Sequence, residues 1–378
     1  MLTDAYSITE LASSGSVVEV EVPNEYETDL QAAVLRTEIY AIQKLLTLAR
    51  SRVPLHVSWQ TQIAEKVVSA PSLYPTLAVL LSLQQAQHDI EGKSAADLRK
   101  MVDLAREKLF TYRISADLFS DCQVVICADS RGQSFPLDLY ADESGKLRPK
   151  IDFETLILEL TAKHVGGSVQ DSTIFRNARA LAVVVAELFE NTDMHARLGL
   201  DGKPLRPDAM RGLLLKRIKI ARPPPPRAPR GTAPILVDCI EIGIFDSGVG
   251  YYPTYSKCDL TDEVDLKHEW EVLHNCLERH YYPGLEDNRA GHRAMGLAEV
   301  IRAVQALKGR IEFRTGRLFA YRTFLDGELQ TQMEKPAPMA HMAWPKPRLL
   351  DVGKTFLAVP SWNEPIVGVA VRVVVPLE

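Results

Sequence analysis

At 378 residues the chain is long enough for two ordinary domains, or for one large domain with insertions, and 46% apolar with 25% charged residues is the composition of a folded protein. Its 44 basic and 49 acidic residues leave a formal net charge of -5, so no global field draws it to nucleic acid or to an anionic membrane. The longest apolar runs, 77–83 and 180–189, fall far short of the roughly 20 residues that span a bilayer, and MLTDAYSITELASSG lacks the basic and apolar regions of a secretory signal. Five cysteines, Cys122, Cys127, Cys239, Cys258 and Cys276, make no disulfide framework, and the expected setting is cytoplasmic.

In chain order, SVVEVEVP at 16–23 alternates apolar and acidic residues and predicts a strand with one exposed face. A helix is expected from about Asp29 to Arg52, then a strand at VPLHVSW, and helices over 72–88 and 94–109. QVVICA at 123–128 predicts a buried strand and SFPLDLYA at 134–141 a second, followed by the turn DESGK. Cys122 and Cys127 are expected to be inert packing residues, and His88 an ordinary helix-end histidine. These first residues, 1–165, read as a mixed α/β domain of unassigned role.

A helix is expected from Phe153 to Lys163. The run 171–196 then has no glycine or proline and predicts one long helix, its core stripe carried by Leu181, Val184, Val185 and Leu188. Glu187 and Asn191 lie off that stripe, one turn apart. RGLLLKRIKIA at 211–221 predicts a strand, and the proline-rich connection 222–234 an irregular spacer, because proline fixes φ and lacks a donor. PILVDCIEIGIFDSGVG predicts a strand ending in a glycine turn. Helices are expected over 261–280 and from Gly296 to Leu307, strands at KGRIEFRTG and at 366–377, and an insertion at 326–360. Cys258, His268, His274, Cys276 and His280 cluster between the glycine-bearing segments, but with no CxxC or HxxxH knuckle zinc is set aside.

Three segments carry chemistry. A carboxylate one helical turn from a carboxamide, Glu187 and Asn191, can activate a water with one group and hold Mg²⁺ with the other. An aspartate at a strand end, Asp246, can accept a hydrogen bond from an exocyclic amine, and Gly248 and Gly250 let a flat ring approach the backbone. Glycine at a helix start, in GHRAMGL at 291–297, leaves backbone donors and a positive dipole end for phosphates. Amine, metal and phosphate together suggest ATP–Mg.

In this order the segments resemble the GHKL superfamily of Bergerat-fold ATP-binding proteins, over roughly residues 170–378. ELFEN resembles its asparagine box, DSGVG its first glycine box and GHRAMGL its second. The resemblance implies Glu187 as the general base, Asn191 as the Mg²⁺ ligand, Asp246 as the adenine contact, and Gly248, Gly250, Gly291, Met295, Gly296 and Leu297 as further ATP-binding positions. It also implies an α+β fold: a C-terminal Bergerat-type sandwich over 166–378, a mixed sheet with helices on one face, beside the N-terminal domain 1–165. Two departures bear on turnover. Ala294 stands where the family usually has glycine, and the lysine that a following transducer domain supplies in gyrase-like members has no counterpart after the ATP-binding part. Slow hydrolysis, or a residue from another domain or partner, is the expectation.

The implied function is an ATPase module, with ATP and Mg²⁺ as ligands, whose nucleotide state switches contact with a protein partner or a second copy. Neither a membrane nor nucleic acid is indicated as a partner. The alternatives are a protein kinase of the histidine or anti-sigma type and a non-catalytic nucleotide-binding interaction protein.

Overall fold

The computed structural model describes residues 17–22, 38–83, 86–111, 122–129, 135–142, 144–165, 173–205, 209–222, 231, 233–261, 263–277, 296–324, 349–354 and 358–377. The chain is mixed α/β, with one three-stranded and one seven-stranded sheet. No helix among the described residues is long and apolar enough to cross a membrane.

Strands β1 (Val18–Val22), β2 (Leu55–Trp59) and β3 (Ala86–Ile90) form a parallel sheet in that order. The alternation in VEVEV buries the three valines and leaves Glu19 and Glu21 in solvent, as a period of two requires. Helix α1 (Glu38–Arg50) joins β1 to β2; α2 (Thr61–Ser69), a 3-10 turn (Pro71–Leu73) and α3 (Pro75–Ser82) lie between β2 and β3, and α4 (Ala95–Thr111) follows. The single helix expected over 72–88 is not formed. Pro75 starts α3, whose eight residues are all buried, and the alternating AQHDI then pairs with β2 instead of extending the helix. His88 is therefore a strand residue. Its Nδ1 accepts the Trp59 indole N–H at 3.0 Å, and burial lowers its pKa to about 4, so the ring is neutral.

Strand β4 (Cys122–Ala128) is buried throughout and carries Cys122 and Cys127 as packing residues. The strand expected at 134–141 is instead a tight turn. The Pro136 carbonyl accepts the N–H groups of both Leu139 and Tyr140, and Tyr140 makes only an isolated bridge to Leu147. Helices α5 (Lys150–Val165) and α6 (Thr173–His195) pack on one another. Then come β5 (Met210–Arg222), β6 (Ile235–Asp246), α7 (Tyr251–Ser256), α8 (Leu266–Leu277), α9 (Gly296–Ala306), β7 (Arg310–Gly316), β8 (Leu318–Thr323), β9 (Leu350–Asp351) and β10 (Ile366–Pro376). Most of the 222–234 connection and most of the 326–360 insertion lie outside the described residues.

The large sheet has the order β4-β5-β6-β10-β7-β8-β9, and each neighbouring pair is antiparallel. The mixed sheet anticipated for the C-terminal part is thus corrected: β4, from the N-terminal half, pairs antiparallel with β5 along its whole length. The expectation of helices on one face is corrected too. Ile240, Ile242 and Ile244 of β6, with Val371, Val373 and Val375 of β10, face α5, α6, α8 and α9. Phe245 and Ala370 face the opposite way, against α1 and α3. Gly243 permits that second layer, since a Cβ there would lie 2.9 Å from Ile39 Cδ1. A sheet covered on both faces explains why its strands read as near-continuous apolar runs.

The face toward α1 also holds a buried ionic cluster. Arg372 bridges Glu241 at 2.8 Å and Glu312 at 3.3 Å; Glu312 also pairs with Arg310 at 2.7 Å and accepts the Tyr40 hydroxyl at 2.5 Å. Burial alone would raise the Glu312 pKa, but Arg372 and Arg310 hold it below the ordinary carboxylate value. Removing the shared cation would leave two buried carboxylates short of a partner. Arg372→Met is expected to destabilise the fold by about 3–5 kcal/mol in urea denaturation; a loss below about 1 kcal/mol would mean the cluster is solvated.

Candidate functional site

Strand β6 delivers Asp246 to the sheet end as a buried carboxylate. The turn that follows is fixed to β5, because Ser247 N–H donates to the Met210 carbonyl and Met210 N–H donates to Ser247 Oγ, each at 2.9 Å. Asp246 Oδ1 accepts N–H bonds from Gly248 at 2.8 Å and from Val369 of β10 at 3.2 Å. Oδ2 has the Thr192 hydroxyl at a longer 3.5 Å. Val369 reaches the carboxylate because β10 is irregular between Ile366 and Val369, where Gly368 has φ +67 and backs directly onto the Asp246 carbonyl. Burial pushes the Asp246 carboxyl up to about 7, against the opposing pull of the Gly248 and Val369 donors, Thr192 and Arg211.

Helix α6 runs beneath the turn. Its apolar stripe is in the core, and the register of that stripe leaves Glu187 and Asn191 stacked toward α9. Gly296, the first residue of α9, meets both: a Cβ there would collide with Glu187 Oε2 and lie 3.7 Å from Asn191 Nδ2. Gly248 sits on the end of α6, where a Cβ would lie 2.8 Å from Ala196 Cα. Glu187 is buried, and its Oε1 is ion-paired with Lys150 Nζ at the start of α5; the same ammonium is 3.8 Å from Glu299 of α9. Desolvation would lower the Lys150 pKa, but the hydrogen bond and charge of Glu187 raise it.

A cleft of about 40 Å³ opens between α6, the β6 turn, α7 and β10. Asn191, Thr192 and His195 line it from α6; Asp246, Gly250, Tyr251 and Thr254 line it from the turn and α7. Leu188, Val369 and Val371 supply apolar walls. Gly250 has φ +90 and lies 3.1 Å, at the Cβ position, from Thr315 Oγ1, so the turn tolerates no side chain there without strain. Asn191, Asp246, Gly248, Gly250, Glu187 and Gly296 are thus brought together. Leu297 instead packs in the core beneath α9, and Gly291 and Met295 lie outside the described residues.

Thr192 and Lys150 belong to this site but carry no sequence signal of their own. Thr192 follows Asn191 and differs from any helix-surface threonine only by what it faces, and Lys150 lies 37 residues before its partner. His274, considered above among possible metal ligands, has Nδ1 2.9 Å from the Trp270 carbonyl and Nε2 3.2 Å from Leu349 N–H, the contacts of a neutral structural ring. No protein-family model, no curated protein and no solved structure matches the chain.

The raised Asp246 pKa has a consequence for stability. The folded state holds this proton more tightly than the unfolded chain, so the contribution is fully present at pH below the ordinary value of 3.8 and is lost as pH rises through about 7. The difference in thermal stability between Asp246→Asn and the parent should therefore shift in favour of the variant across that interval and level off above it. A difference curve that is flat with pH would show that the carboxylate is hydrated.

Proposed function

We propose that the chain is a GHKL-type ATPase module that binds ATP with Mg²⁺ and changes its contact with a protein partner or a second copy according to nucleotide state. The observation that supports it is that Asp246 and Asn191 line one cleft, and that Asn191 with Glu187 meets Gly296, the glycine that begins α9. The donor set fits the ligand. Asp246 Oδ1 is occupied by two backbone donors, whereas Oδ2, with the Thr192 hydroxyl at a long 3.5 Å, would accept the exocyclic amine of adenine. Leu188, Val369 and Val371 offer apolar surface to the ring. At about 40 Å³ the cleft is smaller than a purine, so Tyr251 and Thr254 of α7 would move outward as the base enters.

The first-turn N–H groups of α9 have no intrahelical acceptor and suit a phosphate, and Gly296 begins that helix beside Glu187 and Asn191. Asn191 would hold Mg²⁺ through its carboxamide oxygen, and the bound ion supplies neutralisation of phosphate charge. Glu187 Oε2, the oxygen not engaged by Lys150, would take the proton of the attacking water. Lys150 fixes that carboxylate and brings a cation into the site from within the chain. In calorimetry Asp246→Asn is expected to weaken ATP–Mg binding by about tenfold or more, whereas Glu187→Ala retains affinity and loses phosphate release. Unchanged ATP affinity in the aspartate variant would remove the adenine assignment.

A further inference from the structure

The Asp246 pocket is held from behind by a residue that takes no part in lining it. Gln43 of α1 is buried, and its Nε2 donates both to the Asp246 carbonyl at 3.0 Å and to the Val367 carbonyl. One turn further along α1, Thr47 Oγ1 accepts the Val367 N–H at 3.1 Å while donating to the Gln43 carbonyl at 2.8 Å. These contacts fall on the two strand segments that build the pocket: the end of β6 and the irregular start of β10. The β10 irregularity is what aims Val369 N–H at Asp246 Oδ1. A carboxamide suits the task, because one NH₂ group with two donors can tie together two backbone carbonyls that face the same way.

We propose that Gln43 is a positioning residue for the Asp246 pocket, coupling α1, and with it the parallel three-stranded sheet, to whatever the pocket binds. The inference rests on the nucleotide reading for the identity of that ligand and not for the contact itself. Coupling of this kind is reciprocal: a ligand that seats on Asp246 stabilises the docked α1, and loss of the α1 contact weakens the ligand.

The test uses the full chain with Gln43→Leu, which keeps the side chain's bulk and deletes its donors. Two measurements are made: amide hydrogen exchange of the 366–371 segment without ligand, and calorimetric titration with ATP–Mg and with tripolyphosphate–Mg. Faster exchange at 366–371, with ATP affinity lowered by about tenfold and tripolyphosphate affinity unchanged, is the expected result, since Gln43 acts only through the base-binding end. Equal loss of both ligands would reduce Gln43 to a general structural contact and overturn the proposal, as would unaltered exchange. If the parent chain binds no nucleotide yet exchange at 366–371 still rises in the variant, the positioning role stands and the nucleotide reading falls. Should Gln43→Leu fail to fold, Gln43→Asn, which keeps the carboxamide but withdraws it by one methylene, is read the same way.

Discussion

Asp246 Oδ1 accepts two backbone N–H groups, one from its own turn and one from β10, in surroundings that exclude most water. A carboxylate in that position is costly unless it is hydrogen-bonded, and the chain around it is shaped accordingly. Gly248 lets the turn double back and sit on the end of α6. The β10 irregularity with Gly368 brings Val369 N–H into range, and Gly250 redirects the chain into α7. Compensation stays incomplete, because burial still outweighs the donors and leaves the carboxyl titrating near 7. Its second oxygen, with the Thr192 hydroxyl at 3.5 Å, belongs to a residue that lines the cleft.

The same sheet solves a second electrostatic problem on its other face. There Arg372 is shared between Glu241 and Glu312, and Tyr40 of α1 closes the cluster. Helix α1 thus meets the sheet through polar contacts at both ends of its buried face, with Tyr40 on the cluster and Gln43 and Thr47 on the pocket strands. Apolar contacts such as Ile39 against Gly243 fill the space between. Directional contacts of this kind specify one docking register, where an apolar face alone would tolerate sliding.

The parts of the site that were legible in the sequence are those whose residue types contradict their local setting. Glu187 and Asn191 stand out in an apolar helix, Asp246 and its glycines end an apolar strand, and Gly296 opens a helix. Lys150, Thr192 and Gln43 were not legible, because nothing in their own segments is unusual and their roles come from packing; Gln43 is 203 residues from Asp246. The fold divides along similar lines. Strongly periodic elements such as β1, α6 and β10 were readable. β3 was not, because AQHDI directly follows an apolar helical run and becomes a strand only by pairing with β2. The second helical layer was missed for a related reason: the strands facing it carry Glu241, Gly243 and Arg372, which look like solvent-facing residues until α1 and the opposing charges are seen to cover them.

The proposed ATPase function requires Asp246, the Glu187–Asn191 pair and the start of α9 to act as one ligand site with a base-binding end and a phosphate-binding end. Calorimetric titration of the unaltered chain with ATP–Mg and, separately, with GTP–Mg addresses it most directly. One-to-one binding of ATP, with GTP bound at least about tenfold more weakly because its ring presents a carbonyl where adenine presents an amine, is the predicted result. No measurable heat with ATP, or equal affinity for the two nucleotides, would contradict it.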